Sequence, residues 1–161
     1  MKFITTFFMG LAIIVGLILA ITPFVADKIF PLPENSVRVA KPDAAAMALK
    51  RWFKSPDAPF IDVQAINQSS PQQKVAWFSF SVGRGPVEKY ILTTKLKQKT
   101  LTPDILKNTF YIDNPPATWW HPEAIQQETY FSGKDQDRYL ALLYNPETKR
   151  GVLVTNSQPF K

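Results

Sequence analysis

Cysteine is absent from this sequence. Its absence excludes disulfides, thiolate zinc sites, cysteine nucleophiles, CxxC redox chemistry and a lipidated N-terminal cysteine. Histidine occurs once, so no histidine-based metal cluster can form within one chain. Glycine is sparse, at 6 residues, which disfavours glycine-rich phosphate-binding loops. Gly83-Arg84-Gly85 has neither the spacing nor the strand-to-helix setting of a P-loop or dinucleotide fingerprint. No EF-hand spacing surrounds Asp135 and Asp137. Ser79 and Ser81 have no neighbouring base and read as structural residues of a strand. The expectation is therefore no catalytic residue, no cofactor and no metal.

The chain has 161 residues, enough for one domain with a membrane anchor added. Hydrophobic residues make up 45% and charged residues 20%, a globular rather than a disordered balance. The formal net charge is +6.

From Phe3 to Ala26 no residue is charged. About 20 apolar residues in helical form cross a hydrocarbon core roughly 30 Å thick, and in lipid every backbone N–H needs an internal partner. The segment therefore reads as a transmembrane helix, with Pro23 near its end. A cleaved signal peptide fits less well: the apolar run is long, and a cut after Ala26 would put the large Phe24 at the −3 position. Ala12, Gly16 and Ala20 recur every fourth residue and align on one helix face, the pattern that lets membrane helices approach closely. Lys28, Arg38 and Lys41 outnumber Lys2 and by local count would hold the following domain in the cytoplasm. Long domains cross largely regardless of charge, and Asp27 and Glu34 are interspersed here. The expected arrangement is a single-pass protein of the cytoplasmic membrane with its domain outside. Residues 1–26 form the anchor, 27–41 a juxtamembrane linker broken by Pro31 and Pro33, and 42–161 an α+β domain.

Pro42 to Lys54 reads as a helix: proline suits its first turn, Asp43 the positive end of the dipole, and Lys50, Arg51 and Lys54 the negative end. Ala45, Leu49, Trp52 and Phe53 share one face. From Phe60 onward the period becomes two. Phe60–Gln68 and Val75–Val82 read as strands, the first with Ile61, Val63 and Ala65 on one face, the second with Phe78 and Phe80 opposite Trp77. Gly83 to Pro86 reads as a turn, and Val87–Lys97 as the returning strand of a hairpin. Thr102-Pro103 starts a short helical turn, and Phe110–Ile112 a short strand. Tyr139–Tyr144, apolar on both faces, reads as a doubly covered strand paired with Val152–Thr155 through a polar loop. The sum is a transmembrane helix, then a helix packed on an antiparallel sheet of about six or seven strands. In element order alone this is similar to cystatin-like or NTF2-like folds.

Three surfaces stand out. Trp119-Trp120-His121-Pro122-Glu123 suits a recognition patch, since tryptophan is enriched at binding hot spots; the alternative is that both indoles close the core. The stretch Arg84, Lys89, Lys95, Lys97, Lys99 forms a basic face suited to anionic headgroups or an acidic partner; the alternative is lysine that keeps an edge soluble. It lacks an aromatic stacking pattern, so nucleic acid is not expected as a partner. The anchor face of Ala12, Gly16 and Ala20 suits a protein partner or a second copy.

These features point to a membrane-anchored accessory or interaction protein, such as a small subunit or assembly factor of an envelope complex. A small-ligand or lipid-binding domain, with a pocket lined by Trp52, Trp77, Phe78, Phe80 and Tyr90, is one alternative. A carboxylate-dependent envelope hydrolase using residues such as Asp62, Asp113, Glu128 and Asp137 is the other.

Overall fold

The computed structural model describes residues 36–115 and 117–160. The anchor expected over residues 1–26, with its Ala12, Gly16 and Ala20 face, lies outside the described residues. Among the described residues, no helix is long and apolar enough to cross a membrane.

Among the described residues, seven antiparallel strands form one sheet, with three helices against it. The strands are β1 (Ser36–Val39), β2 (Ile61–Ser69), β3 (Lys74–Ser81), β4 (Lys97–Thr100), β5 (Thr129–Asp135), β6 (Arg138–Asn145) and β7 (Arg150–Asn156). Their order across the sheet is β1-β2-β3-β7-β6-β5-β4. The helices are α1 (Pro42–Trp52), α2 (Arg84–Thr94) and the short α3 (Pro103–Ile105). A π-helical turn, Leu106–Phe110, continues α3, and a 3₁₀ turn covers Pro122–Ile125.

Both faces of the sheet are covered, and the period-two pattern explains how. Ala65, Phe78, Phe80, Leu140, Leu142 and Leu153 point to one face and pack with Ala45, Leu49 and Phe53 from α1 and its end, and Val87 and Tyr90 from α2. The Phe53 ring stacks on Tyr90 at 4.2 Å and meets Phe60 and Phe80 edge-on. Ile66, Val75, Trp77, Ala141, Leu143, Val152 and Val154 point to the other face. There Phe110, Trp120 and Ile125, from the long connection between β4 and β5, cover them.

The expected strand over Val87–Lys97 is a helix instead. Valine, isoleucine and paired threonines favour a strand locally, but Val87, Tyr90, Ile91 and Thr94 follow helical spacing, and the first two are buried. Pro86 falls in the first turn, where its missing N–H costs nothing. An Arg84–Glu88 ion pair four residues apart supports the exposed side. Lys95 ends the helix in a left-handed conformation, φ 55°. Leu92, on the outer side of the helix, is 78% exposed.

Phe110–Ile112 is likewise not a strand: Phe110 ends the π-helical turn, and its ring is fully buried beside Tyr130. In β2 the bond pattern shifts between Ile61 and Gln64, so that Asp62 and Val63 lie opposite Phe80 alone. This bulge reverses the alternation, so Ile61, expected on the face of Val63, pairs with Ser81 and is 59% exposed.

Candidate functional site

Strand register builds a strongly charged groove. Lys97 pairs with Ser132 and Lys99 with Tyr130, while Lys134 pairs with Tyr139. Directly paired residues project to the same side, and alternate residues of β5 share that side. Lys97, Lys99, Lys134, Tyr130, Ser132 and Tyr139 therefore rise from one face of the β4–β5–β6 corner. Lys95, Ile105, Thr109 and Phe160 complete the walls of a groove of about 550 Å³. Among the described residues, no carboxylate lines it. Among the described residues, the ion pairs are Arg84–Glu88 and Arg138–Asp135, and His121 lies against Glu123, so none of the four lysines is neutralised by a salt bridge. Lys134 lies over the Tyr139 ring at 5.1 Å, a cation–π contact that leaves its positive charge intact. Four cations beside buried Thr109 and Ser132 hydroxyl groups suit an anionic group.

The basic stretch read from the sequence thus divides. Lys95, Lys97 and Lys99 join this groove, and Lys134, far off in sequence, joins them. Arg84 and Lys89 belong to α2, not to a hairpin: Arg84 pairs with Glu88, and the Lys89 ammonium donates to the Lys54 carbonyl. Neither lines the groove.

The tryptophan pair divides too. Trp120, of the pair read as a recognition patch or as closing the core, is 3% exposed and donates its indole N–H to the Phe110 carbonyl at 2.9 Å. It pins the connection between β4 and β5 to the sheet. Trp120→Phe keeps most of the ring volume but strands the Phe110 carbonyl, so stability falls by about 1–3 kcal/mol in urea denaturation. Trp119 is half-buried and meets Trp120 edge-on at 5.9 Å.

His121 and Glu123 are exposed and form a small cluster with Tyr111. The Tyr111 hydroxyl donates to Glu123 Oε2, and His121 Nδ1 lies 3.1 Å from Glu123 Oε1. Desolvation raises the Glu123 pKa, but the hydrogen bonds from Tyr111, its own backbone and His121 outweigh it and hold the carboxyl below its ordinary value. Desolvation, then the hydrogen bond to Glu123 and its charge, push Tyr111 up to about 12. The sign follows: the folded state favours the protonated phenol, so its contribution to stability is full below pH 10.0 and is lost as the pH rises through about 12. In a tyrosinate titration by ultraviolet difference, wild type minus Tyr111→Phe, the missing transition lies near 12. Glu123→Gln moves that transition down without restoring the ordinary value, because burial is the larger cause. Two neighbouring ligands make no metal site, and the described residues hold no cluster of three or more His, Asp or Glu suited to one.

The five residues expected to line a pocket between helix and sheet do not share a face. Trp77 points away from Phe78, Phe80 and Tyr90. Trp52 meets Phe78 edge-on and carries the Arg138 guanidinium over its ring at 4.7 Å. The acidic residues also lie apart: Asp62 and Asp113 line different grooves, and Asp137 sits in the β5–β6 turn. Sequence reading missed Lys134 and Tyr139, whose place in the lysine groove follows only from strand register.

Compared with family models, curated proteins and solved structures, the chain matches none.

Proposed function

We propose that this chain is a membrane-anchored accessory protein that works by binding, and that its lysine groove receives an acidic segment of a protein partner. The observation that carries this reading is the groove's charge: Lys95, Lys97, Lys99 and Lys134 line it, and among the described residues no carboxylate does. Uncompensated cations on a concave surface raise the local concentration of anionic partners and steer their approach. The charge-free run Phe3–Ala26 supports anchorage, and its Ala12, Gly16 and Ala20 face supports contact with a second membrane helix. An extracytoplasmic domain and a role as a small subunit or assembly factor of an envelope complex belong to the same reading. Its finer likeness to cystatin-like or NTF2-like folds rests on α1 lying against an antiparallel sheet.

A lipid- or small-ligand-binding role is the second reading, favoured by Ile105 and Phe160 beside the lysines, an apolar wall next to a cationic rim.

The test places a photocrosslinking residue at Tyr139, half-buried on β6 and lining the groove beside Lys134. Irradiation of intact membranes yields one discrete protein adduct whose crosslinked peptide is rich in Asp and Glu. An adduct to lipid alone supports the second reading. No adduct above that of a control site on α2 overturns both. A reporter fused after Lys161 and read from each side of the membrane tests the orientation.

A further inference from the structure

Another groove, built from different chemistry, opens on the same face of the sheet as the lysines. Trp77, Ser79 and Ser81 alternate along β3 and share that face. Trp77 is fully buried under the β4–β5 connection, whereas Ser79 and Ser81 are only half-buried. Gln64 pairs with Ser79, and Arg150 pairs with Ser81, so all four polar side chains project together. The β2 bulge brings Asp62 to the same place, with its backbone held at φ 52°. A left-handed aspartate in a bulge is a costly local conformation of the kind that re-aims side chains at functional sites. Trp119, half-exposed and braced by the buried Trp120, forms a wall. The space enclosed is about 660 Å³.

The chemistry is unlike that of the lysine groove. Asp62 and Arg150 bring one charge of each sign, and among the described residues neither makes an ion pair. Two hydroxyls and an amide supply further donors and acceptors on both sides. An indole beside them offers a flat apolar surface. A ligand that satisfies this set carries no net charge, has hydroxyl groups pointing around its edge, and has an apolar face. We propose that the groove binds a neutral carbohydrate: a sugar ring stacks its C–H face on Trp119, its hydroxyls donate to Asp62, and Arg150 and Gln64 donate to its oxygens. This site does not depend on the acidic partner proposed for the lysine groove.

The test uses the full chain in a detergent without a sugar headgroup, titrated separately with chitotetraose, cellotetraose and maltotetraose and followed by tryptophan fluorescence. At least one gives a saturable change at millimolar concentration or below. Trp119→Ala and Arg150→Ala each weaken that binding roughly fivefold or more, while Lys97→Glu leaves it unchanged. Arg150 is exposed, so its variant still decides the matter if loss of the Trp119 ring disturbs the fold. No saturable change with any of the three sugars overturns the proposal. Binding that is undiminished in Arg150→Ala overturns it as well, since the sugar then lies elsewhere.

Discussion

Replacing Lys97 and Lys99 together with glutamate is expected to abolish the groove-dependent crosslink and to release the protein from a polyanionic resin at low salt. A lysine near an anionic surface contributes roughly 1 kcal/mol, and reversing it loses that attraction and adds repulsion, so the double variant weakens association on the order of a hundredfold. Both side chains are exposed on β4, so the fold is unaffected. The informative control is Arg84→Glu with Lys89→Glu on α2, which removes the same formal charge from a surface outside the groove. Equal losses in the two double variants would mean that overall charge, and not the groove, governs association. Wild-type binding falls steeply with added salt, because rim charges act chiefly on encounter and are screened within about 8 Å at physiological ionic strength.

Phe53→Ala is expected to have the largest effect on stability, about 3–5 kcal/mol in chemical denaturation. The Phe53 ring is fully buried and touches three other aromatics: Tyr90 stacked at 4.2 Å, Phe60 at 5.2 Å and Phe80 at 5.6 Å. These neighbours come from α2, the segment before β2, and β3. Truncation therefore opens a cavity where two helices meet the sheet, and rigid rings collapse poorly into such a space. Leu92→Ala, on the exposed side of α2, is the matched control and costs less than about 1 kcal/mol.

The parts legible in the sequence were those whose determinants are local. Pro42, Asp43 and the terminal Lys50-Arg51 mark α1, and alternation from Val75 to Val82 marks β3. The β6–β7 loop announces itself through Asn145, whose side-chain oxygen accepts the backbone N–H groups of Glu147 and Thr148. Helix α2 was hidden because Val87, Ile91, Thr93 and Thr94 have strand preference, and only burial of the Val87–Tyr90 side resolves the conflict. Residues 118–127 show no local period, because what orders them is remote: Trp120 bonds to Phe110, and Ile125 accepts from the Asn145 side chain. The lysine groove was half-visible. Lys95, Lys97 and Lys99 are neighbours in sequence, whereas Lys134 and Tyr139 arrive through pairing of β5 with β4 and β6. The Trp119 groove was hidden altogether, since Ser79 and Ser81 look like ordinary alternation until the β2 bulge and the β7 register are known.

The place of β7 in the sheet has a consequence for biosynthesis. Arg150–Asn156 is the last of the described strands to be made, yet it lies in the middle and joins β1-β2-β3 to β6-β5-β4. Until it leaves the ribosome, β3 and β6 each present an unpaired apolar edge, and the two half-sheets have nothing to join them. The domain therefore cannot close co-translationally strand by strand. It stays open until β7 has been made, a state vulnerable to aggregation if translation stops short of Arg150.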